Sequence, residues 1–333
     1  MNKGLVLITI LAVMLFLTGC SGQTQTVGRT FIGGTEGLKT SFVTGNPPDI
    51  TTDGGTGGFS IAVKLENIGE YTIGADEGYV QILGIDGVSF NLDPSITDFK
   101  KTFNQQTGFG TNLRGAVMNF DGKVLNGGIS TVDFGQLKYM PVVQGPQEAH
   151  IEADVCYKYK TEVSTQICVK NDVEQALSSD KICSVEGEKN PQNSGGPIQV
   201  TSLKESYAGN GFVGLSLTLT HSGSGDNFFK DGGKGVAPSC IDKASNPDTG
   251  KVRIQFDPVQ VSGKKMPVIC QSTDADGYIK LYSDGSGKET YTLYCTVDVS
   301  GSNNVVEVPL SLNVSYVYLQ HVDTQMTVRH VGQ

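Results

Sequence analysis

The chain contains no cysteines spaced C-x-x-C, and its four histidines, His150, His221, His321 and His330, each stand alone. Zinc ligands are drawn from such close pairs, so no metal is expected. Solvent-facing strand or end positions account for the histidines. No G-x-S-x-G elbow is present to hold a nucleophile on a strained turn. The glycine tracts Gly54–Gly58 and Gly232–Gly235 lack the Lys-Ser/Thr ending of a phosphate-binding loop. Neither an enzyme nor a cofactor is therefore expected. Basic runs are missing too, and the formal charge of -9 sets aside nucleic acid as a partner.

Apolar runs are few. The longest near the start, Leu5 to Leu17, follows the early charge Lys3 and falls short of the roughly 20 residues that span a bilayer. It fits the apolar segment of a secretory signal. The segment closes on Leu17-Thr18-Gly19-Cys20, which resembles a lipobox, the site where a lipoprotein signal is cut just before a lipid-bearing cysteine. Small residues ahead of the cut let the chain lie extended in a protease cleft, and the thiol takes the lipid. The expectation is a signal peptide over 1–19, lipid on Cys20, and a polar tether over 20–27. Two rivals are an ordinary signal peptide with a stray cysteine and a pilin-type leader cut after Lys3-Gly4. The mature chain of about 314 residues has room for two domains.

Seven cysteines are present. Giving Cys20 to lipid leaves Cys156, Cys168, Cys183, Cys240, Cys270 and Cys295, an even set that suits three disulfides in an exported protein.

Shifting the chain by 159 residues lays VCYKYKTEVSTQICVK over VSYVYLQHVDTQMTVR without a gap. The identities are Val155 with Val314, Tyr157 with Tyr316, Tyr159 with Tyr318, Val163 with Val322, Thr165 with Thr324, Gln166 with Gln325 and Val169 with Val328. Upstream, FSIAVKLENIG ending at Gly69 echoes GLSLTLTHSG ending at Gly223. Two copies of one domain follow, 28–170 and 196–333. Between them, 171–195 includes SVEGEKNPQNSG, whose Gly, Pro and Asn read as a linker. Period-two runs separated by clusters such as Asp121-Gly122, Asn126-Gly127 and Asp284-Gly285 predict strands. Short helices are predicted near Pro94–Phe103 and Asp172–Ser178. The fold class is all-β, as two antiparallel β-sandwiches.

The N-x-G after an alternating strand (LENIG) and the final Y-x-Y strand resemble the immunoglobulin-like sandwich modules repeated in prokaryotic, especially archaeal, cell-surface proteins. The absence of tryptophan departs from antibody-type domains, where one packs on an inter-sheet disulfide. The resemblance supports tandem immunoglobulin-like sandwiches.

Within Val155–Val169, one parity carries Val155, Tyr157, Tyr159, Val163, Thr165, Ile167 and Val169 and is assigned to the core. Cys156 and Cys168 share the other parity, and Ser315 and Thr327 replace them in the second copy. A single strand would hold these cysteines about 40 Å apart at ~3.3 Å per residue, beyond the ~7 Å that a disulfide tolerates. A hairpin turning at Glu162 would pair them; Cys168 with Cys183 is the competitor. Cys270 is expected to pair with Cys295, and Cys183 with Cys240. Asp274-x-Asp276-Gly277 offers a partial calcium loop or a plain turn, and Asn313-Val314-Ser315 is a glycosylation sequon.

The expected role is a lipid-anchored structural or protein-interaction module, facing outside the cytoplasm. A surface protein that binds a glycan or other solute through end loops is the alternative, and a pilin-like subunit is another. The expected partners are the membrane, through Cys20, and proteins or glycans at the cell surface.

Overall fold

The structure, a computed structural model, describes residues 31–92, 99–103, 112–170, 183–209, 211–241, 246–261, 263–300 and 305–330. Among them the regular structure is strand apart from 3₁₀ residues at Phe99 and Phe103, and no α-helix occurs. The first copy carries β1 (Leu38–Phe42), β2 (Ile50–Thr52), β3 (Gly58–Asn67), β4 (Gly78–Leu83) and β5 (Lys100–Thr102). A small hairpin of β6 (Val117–Met118) and β7 (Val124–Leu125) precedes β8 (Ile129–Lys138) and β9 (Gln147–Val169).

Next come β10 (Gly187–Lys189), β11 (Gln192–Asn193), β12 (Ile198–Tyr207), β13 (Phe212–His221) and β14 (Asn227–Phe229). After β15 (Lys251–Phe256) lie the short strands β16 (Val259–Val261), β17 (Lys264–Met266), β18 (Val268–Cys270), β19 (Tyr278–Lys280) and β20 (Tyr282–Ser283). The chain closes with β21 (Glu289–Asp298) and β22 (Val306–Arg329). The helix expected at Pro94–Phe103 is corrected at its far end, where Lys100–Thr102 is strand. Asp172–Ser178 lies outside the described residues, as do 1–30.

The repeat is visible strand by strand. In the first copy β1, β3 and β8 form one antiparallel sheet; in the second, β12, β13 and β21 are neighbours in the same order. Both β8 and β21 are ten residues long, as are β3 and β13. The second copy's sheet is wider: β10 is added beside β12, and β21 is also paired with β18 and β20.

The two copies meet in a shared sheet. β9 and β22 pair antiparallel along their whole length, from Val169 opposite Val306 to Gln147 opposite Val328, with no slip in register. Twenty-three residues span roughly 75 Å at the rise of an extended chain. β4 and β5 continue the sheet beyond β9, and β15 and β19 continue it beyond β22.

This sheet overturns three expectations. Val155–Val169 is not a hairpin but part of one strand. Its β-branched and aromatic residues suit extended backbone, and the stretch has no turn residue at Glu162. The division into 28–170 and 196–333 gives way to crossing strands: β12 lies against the far end of β9, where Glu205 accepts the Cys168 N–H, while β1 and β2 lie against the far end of β22. Residues Phe31–Gln333 accordingly form one compact unit with a single main apolar cluster running through both copies. The expected linker is also built in: β10 and β11 pair with β12 and β9, and Ser194–Pro197 is buried. A Cβ on Gly196 would lie 2.5 Å from Thr161 Oγ1 and 3.0 Å from the Tyr159 ring. Glycine is required there for close approach, not for slack.

Candidate functional site

The expected core parity of β9 is buried throughout, from Val155 to Val169. At its centre Tyr157 and Tyr159 face Tyr318 and Tyr316, and the four rings close a circuit with neighbouring centroids 5.9 to 6.3 Å apart. Three of the four contacts are edge-on, the arrangement that ring quadrupoles favour, and Tyr159–Tyr316 is tilted. Every hydroxyl is satisfied. Tyr157 donates to Gln320 Oε1 at 3.0 Å, Tyr159 donates to the Gly195 carbonyl at 3.0 Å, and Tyr316 meets Thr161 Oγ1 at 2.9 Å. Tyr318 accepts the Gly225 N–H at 2.8 Å and meets His221 Nε2 at 2.8 Å, while His221 Nδ1 lies 2.9 Å from Glu289. Burial, first of all, raises the pKa of all four phenols well above the ordinary tyrosine value.

Gln320 links this cluster to the surface. Its amide reaches Glu36 Oε2 at 3.4 Å, and Glu36 also accepts the Ser224 N–H at 2.8 Å. Together they floor a groove of 430 Å³ between the entry to β1, the turn before β14, and residues Gln320–Val322 of β22. On its rim His321 Nδ1 contacts Asp226 Oδ2 at 2.5 Å. Across the strand pair, Asp154 stands opposite His321 and Glu152 opposite Asp323. The Asp226 carboxylate raises the His321 pKa. Partial burial, then the charge of Glu152, pushes Asp154 up to about 6. The notch gathers four carboxylates, Glu152, Asp154, Asp226 and Asp323, about one histidine. Sequence reading misses it, because Asp154, Asp226 and His321 come from β9, the turn before β14 and β22 and carry no spacing signal.

The six expected cysteines form three disulfides, with two corrections of partner. Cys270 pairs with Cys295, as expected, between facing positions of β18 and β21. Cys168 pairs with Cys183, the competitor to the hairpin, and Cys156 pairs with Cys240. The cause is the straight course of β9: its two sulfurs, twelve positions apart on one strand, must each find a partner elsewhere. Cys156 is covered by the β14 region, in a small apolar cluster with Tyr79, Phe229, Val317 and Leu319. Cys20 lies outside the described residues.

The histidine reading needs amending. His150 and His321 are exposed, but His221 is held inside the Glu289–Tyr318 network and His330 meets the buried Asp53 at 2.8 Å. At Asp274 the carboxylate accepts the N–H of Asp276 and of Tyr278, the geometry of a closed turn. No metal-binding cluster of His, Cys, Asp and Glu occurs among the described residues. Asn313 sits inside β22, opposite both Gln255 and Glu162.

No family model matches the chain, and no curated protein does. A search of solved structures found a serine-rich repeat adhesion glycoprotein (Srr1) from Streptococcus agalactiae at 9% identity. The match spans 92% of this chain and 100% of that one with a TM-score of 0.15, a likeness that carries no argument.

Proposed function

We propose that the chain is a lipid-anchored cell-surface protein, held on the outer side of the membrane through Cys20 and serving as a structural or protein-interaction module. The cysteine tally carries this reading. Six cysteines pair in three disulfides, which persist in oxidising compartments. The seventh, Cys20, stands at the end of the lipobox-like Leu17-Thr18-Gly19-Cys20. On this reading the fold is two immunoglobulin-like sandwiches whose last strands are shared, a rigid body suited to display outside the cell.

The groove supports a protein partner over a sugar. Among the described residues no Phe or Tyr lines it, so sugar stacking lacks its usual platform, whereas Glu36 and Asp226 suit a basic segment of another protein.

Mass spectrometry of the mature, unreduced protein from native membranes tests the reading. The expected result is a chain beginning at Cys20 with lipid attached and three bridges intact. An unmodified Cys20 defeats the anchor, and retention of Leu5–Leu17 transfers the case to a pilin-like subunit.

A further inference from the structure

We infer that the β6–β7 hairpin is a membrane-contacting tip that rests on the lipid surface to which the chain is tethered. This inference depends on the anchor proposed above.

The hairpin pairs only with itself among the described strands. Val117 faces Leu125 and Met118 faces Val124, yet Val117, Val124 and Leu125 are all more than two-fifths exposed, as is Ile129 just beyond them. Phe120 at the tip is 98% exposed. The turn carrying it is well ordered: Asn119 Oδ1 accepts the N–H of both Asp121 and Lys123, the Asn119 N–H donates to the Lys123 carbonyl, and Gly122 takes the positive φ that closes the turn. An aromatic ring held out from a fixed turn loses little conformational freedom when it is buried.

Two observations select a lipid surface as the occupant. First, the hairpin sits where the N-terminal segment joins the described structure. Glu70 accepts the N–H groups of Ile32 and Gly33, its neighbour Gly69 accepts the N–H of Ala116, and Val117 opens the hairpin. A short anchor at Cys20 thus brings this end of the molecule to the bilayer. Second, the local charge runs against the rest of the chain. Around the hairpin Arg114 and Lys123 outnumber Asp121 in a protein of net charge -9, a balance that suits phosphate headgroups.

The energetics require the tether. Burial of a few apolar side chains is too little to hold a protein on a membrane unaided. An anchor that raises the local concentration makes the same contact persist.

Because the chain contains no tryptophan, Phe120→Trp supplies a single fluorescent reporter, and Tyr294→Trp, at an exposed position of β21, supplies the control. Both full-length lipidated proteins are reconstituted into phosphatidylcholine–phosphatidylglycerol vesicles, with and without brominated lipid. The Phe120→Trp emission is expected to move to the blue and lose about half its intensity to the brominated chains, as a residue at the acyl boundary would, while the control is unaffected. Equal quenching of both reporters, or none at Phe120→Trp, overturns the inference and leaves the anchor standing. A blue shift that grows with protein concentration in the absence of vesicles also overturns it, in favour of a second copy as occupant. The mass of the same sample reports lipid on Cys20 separately. Should it carry none, a histidine-tagged full chain on nickel-lipid vesicles applies the same quenching criterion to the hairpin.

Discussion

Lys158 stands directly opposite Val317, its own counterpart 159 residues further on. The register of β9 against β22 is therefore symmetric about that point, and the sequence duplication becomes a local two-fold axis. The tyrosines flanking it, Tyr157 with Tyr318 and Tyr159 with Tyr316, pair across the axis as symmetry demands. Their supports repeat as well. Tyr159 accepts the N–H of Tyr71 and Tyr318 that of Gly225, each two residues beyond a repeat glycine, Gly69 or Gly223.

Such crossing makes the halves interdependent. Calorimetry of the intact protein is expected to give one cooperative transition, and segments 28–170 and 196–333 expressed singly are expected to lack a cooperative transition. Two resolved transitions in the intact chain, or a stably folded half, would contradict the shared sheet.

The disulfides are expected to differ in weight. Cys156–Cys240 closes a separation of 84 residues and Cys168–Cys183 one of 15. In the chain-entropy picture the longer loop restricts the unfolded chain by about 1.5 kcal/mol more. Denaturant unfolding of the paired Cys→Ser variants checks the order; an equal loss would point to native-state contacts as the larger effect.

Alkaline pH probes the tyrosine circuit. In the unfolded chain tyrosines ionise near ~10, whereas in the folded state burial holds these four higher. Above that point the unfolded state binds fewer protons, so stability falls as pH rises. Phenolate absorbance of the buried group should appear together with loss of far-UV dichroism, in one step. Gradual ionisation with the fold intact would refute it.

The acidic notch gives two slopes of the same sign. The raised His321 pKa contributes stability that is present below the ordinary histidine pKa and lost as pH rises through the folded value. Asp154, pushed up to about 6, binds its proton more readily folded than unfolded, so its contribution also falls with rising pH, between the ordinary Asp range and about 6. Asp154→Asn removes that penalty and is expected to stabilise at pH 7.5 by about 1 kcal/mol after solvent screening. His321→Gln loses the Asp226 contact and should destabilise mainly at acidic pH. Melting curves from pH 5 to 8 decide both.

Gly196→Ala is expected to cost about 2 to 3 kcal/mol, since its methyl must displace Thr161 or the Tyr159 ring. Gly145→Ala, whose Cβ would meet nothing within 4 Å, serves as the control.

What the sequence disclosed follows from what alternation encodes. The strand class, the buried parity of Val155–Val169 and the repeat itself were legible, because side-chain period and identity are local properties. The course of β9 was not. Its two cysteines favour a fold-back when the stretch is read alone, and the partners that relieve this, Cys183 and Cys240, are marked by no pattern. Gly195 and Gly196 misled for a related reason: glycine serves slack chain and close packing alike, and only Tyr159 and Tyr316 beside it distinguish the two. The groove was invisible, since Glu36, Asp226 and His321 are brought together by pairing alone.

Glu70 accepts hydrogen bonds from Ile32 and Gly33 at the entry of the fold and from Gly195 at mid-chain, and the Gly195 carbonyl in turn receives the Tyr159 hydroxyl. In mechanical terms, a pull arriving at Phe31 is not borne by the first strand alone. It passes through one carboxylate to the segment between the copies and on to the longest strand pair, where separation means shearing many rungs together instead of peeling them singly.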